Sequence, residues 1–323
     1  MNFTNLIKNK INLKDKQKFV SIIGSDPSKG ARSPTLWNKA FSKLKIDMKM
    51  IPLDVKNQNV SLLIKSLKNN DYFYASAVTI PYKEKVIKYL DDIDQVASEI
   101  GSVNLIVKSN KKLKGYNTDS FGCLSTLKQI KKKIKNVLIL GCGGAGKACI
   151  ITTKNKYPKA NIYLFNRNLK KLSSFKKRIK FNNKNIKVVK NFKTLKNLKK
   201  IDLIINTTSL GFDLEIPLIK SNFKYFSSIS FSELKFDKLR KKENIKVRII
   251  ENLIDTFDFL NSNSNAITFD IIYRPHKTII MEIGEKIGLK SINGLEMNFM
   301  QAVKAFKIVN KKIVLKKIIK VMR

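Results

Sequence analysis

An α/β fold in two domains, the second of them doubly wound, is predicted by three observations. The chain has 323 residues, about twice the ~150 typical of one domain. Short apolar runs alternate with helical patterns in two successive series, the order that builds βαβ units and largely parallel sheets. Near the start of the second series a glycine-rich turn, Gly141-Cys142-Gly143-Gly144-Ala145-Gly146, lies between an apolar run and a helical pattern.

In the first series residues 19–23 (FVSII) read as a buried strand running into Gly24. Residues 34–44 read as a helix, with Ser33 as its cap and Pro34 at its first position. A strand over 48–53, a helix over 59–69 and a strand over 72–80, closed by Pro81, come next. Residues 85–90 and 94–100 read as helices, and 103–108 with 113–116 as a hairpin or paired strands. The second series runs helix 119–133, strand 137–140, helix 143–156, strand 161–165 and helix 169–178, then strands 187–189 and 203–206. From 213 to 268 the pattern is irregular, with Asn and Ser clustered at 261–265, so a loop-rich insertion is expected there. Helices over 277–287 and, as one long element, 296–321 close the chain.

Composition excludes several classes. The sequence shows no apolar run of the ~20 residues that span a bilayer. Residues 1–19 carry five lysines but no apolar block before a cleavage site, so no secretory signal is expected and the location expected is cytoplasmic. Cys123, Cys142 and Cys149 form no CxxC pair and read as reduced, buried thiols. The single histidine, His276, rules out a His-rich metal site, and no metal is expected. The net charge of +41 suggests a nucleic-acid binder, yet only seven of the 65 basic residues are arginine and the lysines are spread over the whole chain. Specific nucleic-acid sites favour the bidentate arginine fork, so no specific nucleic acid is expected. The charge should instead attract an anionic cofactor and an anionic substrate.

The glycine turn is the G-x-G-x-x-G of a dinucleotide-binding unit. Gly141 permits the tight turn, Gly143 lets backbone approach a pyrophosphate, and Gly146 allows helix and strand to pack closely. The free N–H groups of the helix start, at Gly144 and Ala145, face the phosphates. The next strand ends Phe165-Asn166-Arg167-Asn168, without the acid that would bond both ribose hydroxyls of NAD, and Lys171 follows. A carboxylate there would repel a 2′-phosphate and a guanidinium can pair with it, so NADP is the expected cofactor. A nicotinamide-dependent oxidoreductase follows as the class.

Three polar motifs lie at the ends of strands in the first series: Val78-Thr79-Ile80-Pro81-Tyr82-Lys83, Gly101-Ser102-Val103-Asn104, and Gly115-Tyr116-Asn117-Thr118-Asp119-Ser120-Phe121-Gly122. Ligands of open α/β sheets sit beyond the carboxyl ends of the strands. In this order, with Ile23-Gly24 and Arg32-Ser33-Pro34 before them, the motifs resemble the shikimate dehydrogenase family. The resemblance continues through Asn206-Thr207-Thr208-Ser209-Leu210-Gly211, Asp270-Ile-Ile-Tyr273-Arg274-Pro275 with Thr278, and Gly294-Leu-Glu-Met-Asn-Phe-Met-Gln301. Only the stretch from Phe212 to Asp270 exceeds the family's spacing.

The resemblance implies an N-terminal α/β substrate domain, 1–118 completed by 295–323. It implies a Rossmann-type NADP domain, 119–294, with the insertion at 213–268 and a C-terminal helix returning to the first domain. It implies NADP-linked, reversible reduction of 3-dehydroshikimate to shikimate, with Lys83 and Asp119 handling the proton. It assigns Thr79, Asn104, Asp119 and Gln301 to the substrate hydroxyls and to positioning the carboxylate, Ser33 and Tyr273 to gripping that carboxylate, and Thr207 and the backbone near Leu210 and Gly294 to the cofactor. Three positions depart from the pattern: Ala31 replaces the first serine of S-x-S-P, Ala77 replaces an asparagine, and Trp37 stands where histidine is frequent. A polar bond lost to a charged ligand costs roughly 1.5–3 kcal/mol, so quinate or another cyclic hydroxy acid is the alternative substrate. A non-catalytic dinucleotide-binding protein is the alternative class. Either a monomer or a homodimer is compatible with the sequence.

Overall fold

The computed structural model describes residues 3–179, 185–213, 224–229 and 242–323, the side chains of 242–244 excepted. The chain divides into two compact units. Among the described residues one comprises 3–122 with 299–323, and the other the residues between. Both divisions fall inside helices, a turn beyond the helix starts at which the sequence places them.

The first unit contains strand β1 (Phe19–Gly24), helix α1 (Ser33–Lys43), β2 (Lys49–Asp54), α2 (Val60–Lys68), β3 (Phe73–Val78), β4 (Asp92–Ile93), α3 (Gln95–Ile100), β5 (Leu105–Ser109) and β6 (Lys112–Tyr116). Helix α4 (Asp119–Leu127) begins in it. The sheet runs β2-β1-β3-β5-β6-β4. It is mixed rather than largely parallel: β1 is parallel to β2 and β3, whereas β5 is antiparallel to β3 and β6. The reversal between β5 and β6 is local in origin. Asn110 and Lys111, at φ 47° and 57°, form the two-residue positive-φ turn whose twist matches a hairpin.

β1 is buried along its whole length, and its alternation serves two cores. Phe19 and Ile23 pack with Leu53, Leu63 and Leu67 under α2. Val20 and Ile22 pack with Met50, Trp37, Phe41 and Phe306 on the other face. α1 starts at Ser33 itself; the expected cap is its first helical residue, because Arg32 already has helical dihedrals after the turn at Pro27–Lys29.

The second unit contains β7 (Asn136–Leu140), α5 (Gly144–Lys156), β8 (Asn161–Phe165), α6 (Leu169–Arg178), β9 (Ile186–Val189), α7 (Phe192–Lys196) and β10 (Leu203–Asn206). After them come α8 (Lys242–Asn261), β11 (Ile267–Asp270), α9 (Ile279–Lys286) and β12 (Lys290–Ile292). Its sheet is parallel throughout, in the doubly wound order β12-β11-β10-β7-β8-β9. The order reverses between β7 and β10, where ligands of such sheets bind.

Three further expectations are corrected. The described part of the supposed loop-rich insertion is mostly α8, a helix of 20 residues, with 214–223 and 230–241 outside the described residues. The Asn/Ser cluster after it is a helix end with work to do: Asn263 accepts the Ile201 N–H (3.0 Å) and donates to Phe259 and Leu198 carbonyls. The long terminal helix is two, α10 (Leu295–Val309) and α11 (Leu315–Met322). The Asn310 side chain donates to the Phe306 carbonyl, a local bond that competes with helix continuation. Helix α4 likewise stops short of the lysines at 131–133.

Candidate active site

In the first unit the chemistry gathers where β3 and β6 end and β5 begins. Lys83 follows the turn after β3. Its carbonyl accepts the Val103 N–H at 2.8 Å, and the buried Tyr82 beside it donates its phenol to the Val55 carbonyl at 2.7 Å. Burial, then the Asp26 charge, raises that phenol's pKa. Asp119 opens α4. Its N–H donates to the Asn117 carboxamide oxygen at 3.0 Å, and the Asn117 amide donates to Ser102 O at 2.8 Å.

These anchors bring Lys83 Nζ to 2.6 Å from Asp119 Oδ2, with 17% and 6% of the two side chains exposed. The other carboxylate oxygen accepts from Asn104 Nδ2 at 2.9 Å. That amide also reaches Thr118 Oγ1 (2.9 Å) and Gln301 Oε1 (3.3 Å), and Asn104 Oδ1 accepts the Thr118 N–H at 2.8 Å. Lys83, Asn104, Asp119 and Gln301, expected together from sequence, therefore form one network. Thr118 joins it unannounced, although it lies inside a motif singled out from the sequence.

Ser33 and Thr79 share this unit, but their side chains take no part in the network's hydrogen bonds. Ala31 and Ala77 lie against the apolar cluster around Trp37. Trp37 is a core residue, 1% exposed, with its ring edge-on to Phe306 at 5.0 Å. Tyr273 belongs to the second unit, where it packs edge-on to Phe212 at 6.4 Å.

In the second unit the glycine turn has the geometry a dinucleotide needs. Gly141 has φ +104°, a conformation that disfavours side chains. A Cβ on Gly141 or on Gly146 would stand 2.6 Å from Thr207 Oγ1, which itself donates to the Leu140 carbonyl. Gly143, just before α5, is extended, and a Cβ there would meet nothing within 4 Å. Backbone N–H groups at Gly144 and Ala145 thus stand at an open helix start.

Asn166 Oδ1 accepts the Cys142 N–H at 3.1 Å, tying the loop to the end of β8. Asn168 accepts the Lys171 N–H at 2.9 Å and caps α6. Arg167 is exposed and Lys171 half-buried at that end. The open helix start leaves room for the phosphates of a dinucleotide. All three cysteines are buried and outside any disulfide.

A buried knot escaped the site residues read from sequence. Asp270 is fully enclosed. Its carboxylate accepts from Asn206 Nδ2 (2.9 Å), Thr278 Oγ1 (2.7 Å) and the Ile272 N–H (2.9 Å). Desolvation pushes its pKa up to about 6 against these hydrogen bonds. Asn206 in turn holds Thr208 and the Leu210 carbonyl, and Gly294 donates to the Ile272 carbonyl at 2.9 Å. The loops carrying Leu210 and Gly294 are therefore joined by one carboxylate.

Among the described residues no helix is long and apolar enough to cross a membrane, and no group of three or more His, Cys, Asp or Glu could hold a metal.

Residues 22–106 match the family model described as the shikimate dehydrogenase substrate binding domain. The chain is 32% identical over 286 residues to the shikimate dehydrogenase (NADP(+)) of Halothermothrix orenii, covering 85% of each chain. It is 31% identical over 306 residues to that of Methanosphaera stadtmanae, covering 91% of each. A crystal structure of a shikimate dehydrogenase in complex with NADP+ superposes with a TM-score of 0.70 at 27% identity, covering 96% of both chains. Since likeness on this scale runs through both units, the chain belongs to the shikimate dehydrogenase family.

Proposed function

We propose that the protein catalyses the reversible, NADP-dependent reduction of 3-dehydroshikimate to shikimate, a step of aromatic amino-acid biosynthesis carried out in the cytoplasm. The observation that carries the reading is the Lys83–Asp119 pair, 2.6 Å apart and held from behind by Asn104, Thr118 and Gln301.

The cofactor would lie along Gly141, Gly143, Gly144, Ala145 and Gly146, with Asn166, Arg167, Asn168 and Lys171 at its adenosine end and Thr207, Leu210 and Gly294 toward its ring. When bound, NADPH supplies the hydride. The remaining work belongs to side chains. As the ketone carbon is reduced, negative charge grows on its oxygen, and the Lys83 ammonium neutralises that charge and gives the proton. Asp119 keeps the ammonium aimed through one oxygen. Its other oxygen is fixed by Asn104, so the carboxylate cannot swing away with the lysine. In the reverse direction Lys83, having lost its proton to solvent, takes up the hydroxyl proton. Thr79, Asn104, Asp119 and Gln301 bind the substrate hydroxyls and set the orientation of its carboxylate, which Ser33 and Tyr273 grip.

A steady-state assay following NADPH absorbance with 3-dehydroshikimate tests the reading. Lys83→Ala should lower kcat by about 10²–10⁴-fold, with KM little changed and circular dichroism intact. Full activity in that variant sinks the catalytic role, and NADPH binding without turnover of any keto acid favours a dinucleotide-binding protein. Ala31 and Ala77, seated against apolar residues, support a second reading. In that reading the same chemistry acts on quinate or another cyclic hydroxy acid, and a higher kcat/KM for that acid than for shikimate would establish it.

A further inference from the structure

A dinucleotide lying across the carboxyl ends of a doubly wound sheet has one half on each side of its phosphate loop. In the second unit the strands run β11-β10-β7-β8 through that region. The glycine turn follows β7, and Arg167 and Lys171 follow β8. With the adenosine half on the β8 side, the nicotinamide half falls beyond β10 and β11. The loop after β10 starts against the phosphate turn, since a Cβ on Gly141 or Gly146 would stand 2.6 Å from Thr207 Oγ1.

Asp270, the last residue of β11, lies in register with Asn206, the last of β10. Its Oδ2 accepts from Asn206 Nδ2 at 2.9 Å and from Thr278 Oγ1 at 2.7 Å, and its Oδ1 accepts the Ile272 N–H at 2.9 Å. Asn206 carries the grip into the β10 loop. Its oxygen accepts the Thr208 N–H and hydroxyl, its amide donates to the Leu210 carbonyl, and Thr208 Oγ1 accepts the Leu210 N–H at 3.2 Å. Thr278 supports the same loop: a Cβ on Gly211, at φ +96°, would stand 2.9 Å from Thr278 Cβ. Gly294 donates to the Ile272 carbonyl, and a Cβ on it would collide with the Ile271 carbonyl. Asp270 itself is 0% exposed, so it acts on a ligand only through these loops. A carboxylate suits the place because it accepts three bonds and donates none. An amide there sets its NH2 against either the Asn206 NH2 or the Ile272 N–H, donor to donor.

We infer that Asp270 is a positioning residue for the nicotinamide half of the cofactor: given the NADP(H) reading already proposed, its carboxylate holds the 207–211 loop, the 271–278 loop and Gly294 in the shape that receives the ring. The adenosine half, held beyond β8 and at the glycine turn, does not depend on it.

Calorimetric titration of the full chain with NADPH, and separately with adenosine 2′,5′-bisphosphate, which lacks the nicotinamide half, tests it. Asp270→Asn and Thr278→Val should each weaken NADPH about tenfold, the scale of one hydrogen bond lost from the knot. Both should bind the bisphosphate within about twofold of the wild type, and Thr278→Ser, which keeps the hydroxyl, should bind NADPH almost as the wild type does. Damage to the unit as a whole would weaken both ligands together, so an equal loss overturns the positioning role. So does NADPH affinity unchanged in Asp270→Asn and Thr278→Val, or Thr278→Ser as weak as Thr278→Val. A wild-type chain that binds no NADPH overturns the cofactor reading itself and this role with it.

Discussion

Lys83 is one lysine among many, and its sequence neighbours alone do not distinguish it chemically. The distinction is geometric: a carboxylate at 2.6 Å and 17% exposure. Residue-scale expectations follow at two other positions. Arg167→Ser should raise the KM for NADPH about tenfold and leave that for NADH nearly unchanged, since a paired charge contributes roughly 1.5–3 kcal/mol only where a 2′-phosphate exists to pair with it. Equal loss for both cofactors would remove Arg167 from that role. Asp270, with its carboxyl raised from 3.8 to about 6, holds its proton more tightly folded than unfolded. Its contribution is therefore fully present below about pH 3.8 and lost as pH rises through about 6, a change of ~3 kcal/mol. Asp270→Asn lacks this dependence. Urea unfolding of both proteins at pH 4 and pH 7 should show the variant gaining on the wild type at the higher pH; a constant difference contradicts the assignment.

At the scale of elements, the strands and the glycine turn were the legible part, because a strand buried on both faces is a continuous apolar run and a strand–turn–helix with G-x-G-x-x-G has few other uses. Helix α8 was less legible, since its polar Asn252 and Thr256 are buried while Val247, Ile250, Ile254 and Phe257 are exposed, which blurs the helical period. The break between α10 and α11 hid for a different reason: Asn310 acts through one side-chain bond that no periodicity records. The site's network was legible at Lys83, Asn104, Asp119 and Gln301. Thr118 and the Asp270 knot were not assigned, because their roles are hydrogen bonds between distant segments. Helix α4 offers a test of how such bonds act. Asn117 holds the Asp119 and Ser120 N–H groups and the Ser102 carbonyl. Asn117→Ala should cost about 1–3 kcal/mol in thermal or urea unfolding. It should also lower kcat more than it raises KM, because Asp119 loses its anchor. An unaltered kcat would show that Asp119 is placed by Lys83 and Asn104 alone.

On the scale of the whole molecule, a net charge of +41 surrounds a reaction whose cofactor and substrate are anions. The kcat/KM for both should fall severalfold as salt rises from low to physiological strength, while kcat holds, because screening weakens attraction at a distance more than contacts in the site. A flat salt profile would make the lysines irrelevant to capture. The division of the chain has a consequence in time. Val20, Ile22 and Met50 lie near the start, yet their packing partners Val303, Phe306 and Ile318 lie near the end. A ribosome delivers these groups in sequence, so the doubly wound unit can close while the earlier one still waits with a bare apolar face. The last helices to be made are the ones that finish the first domain begun.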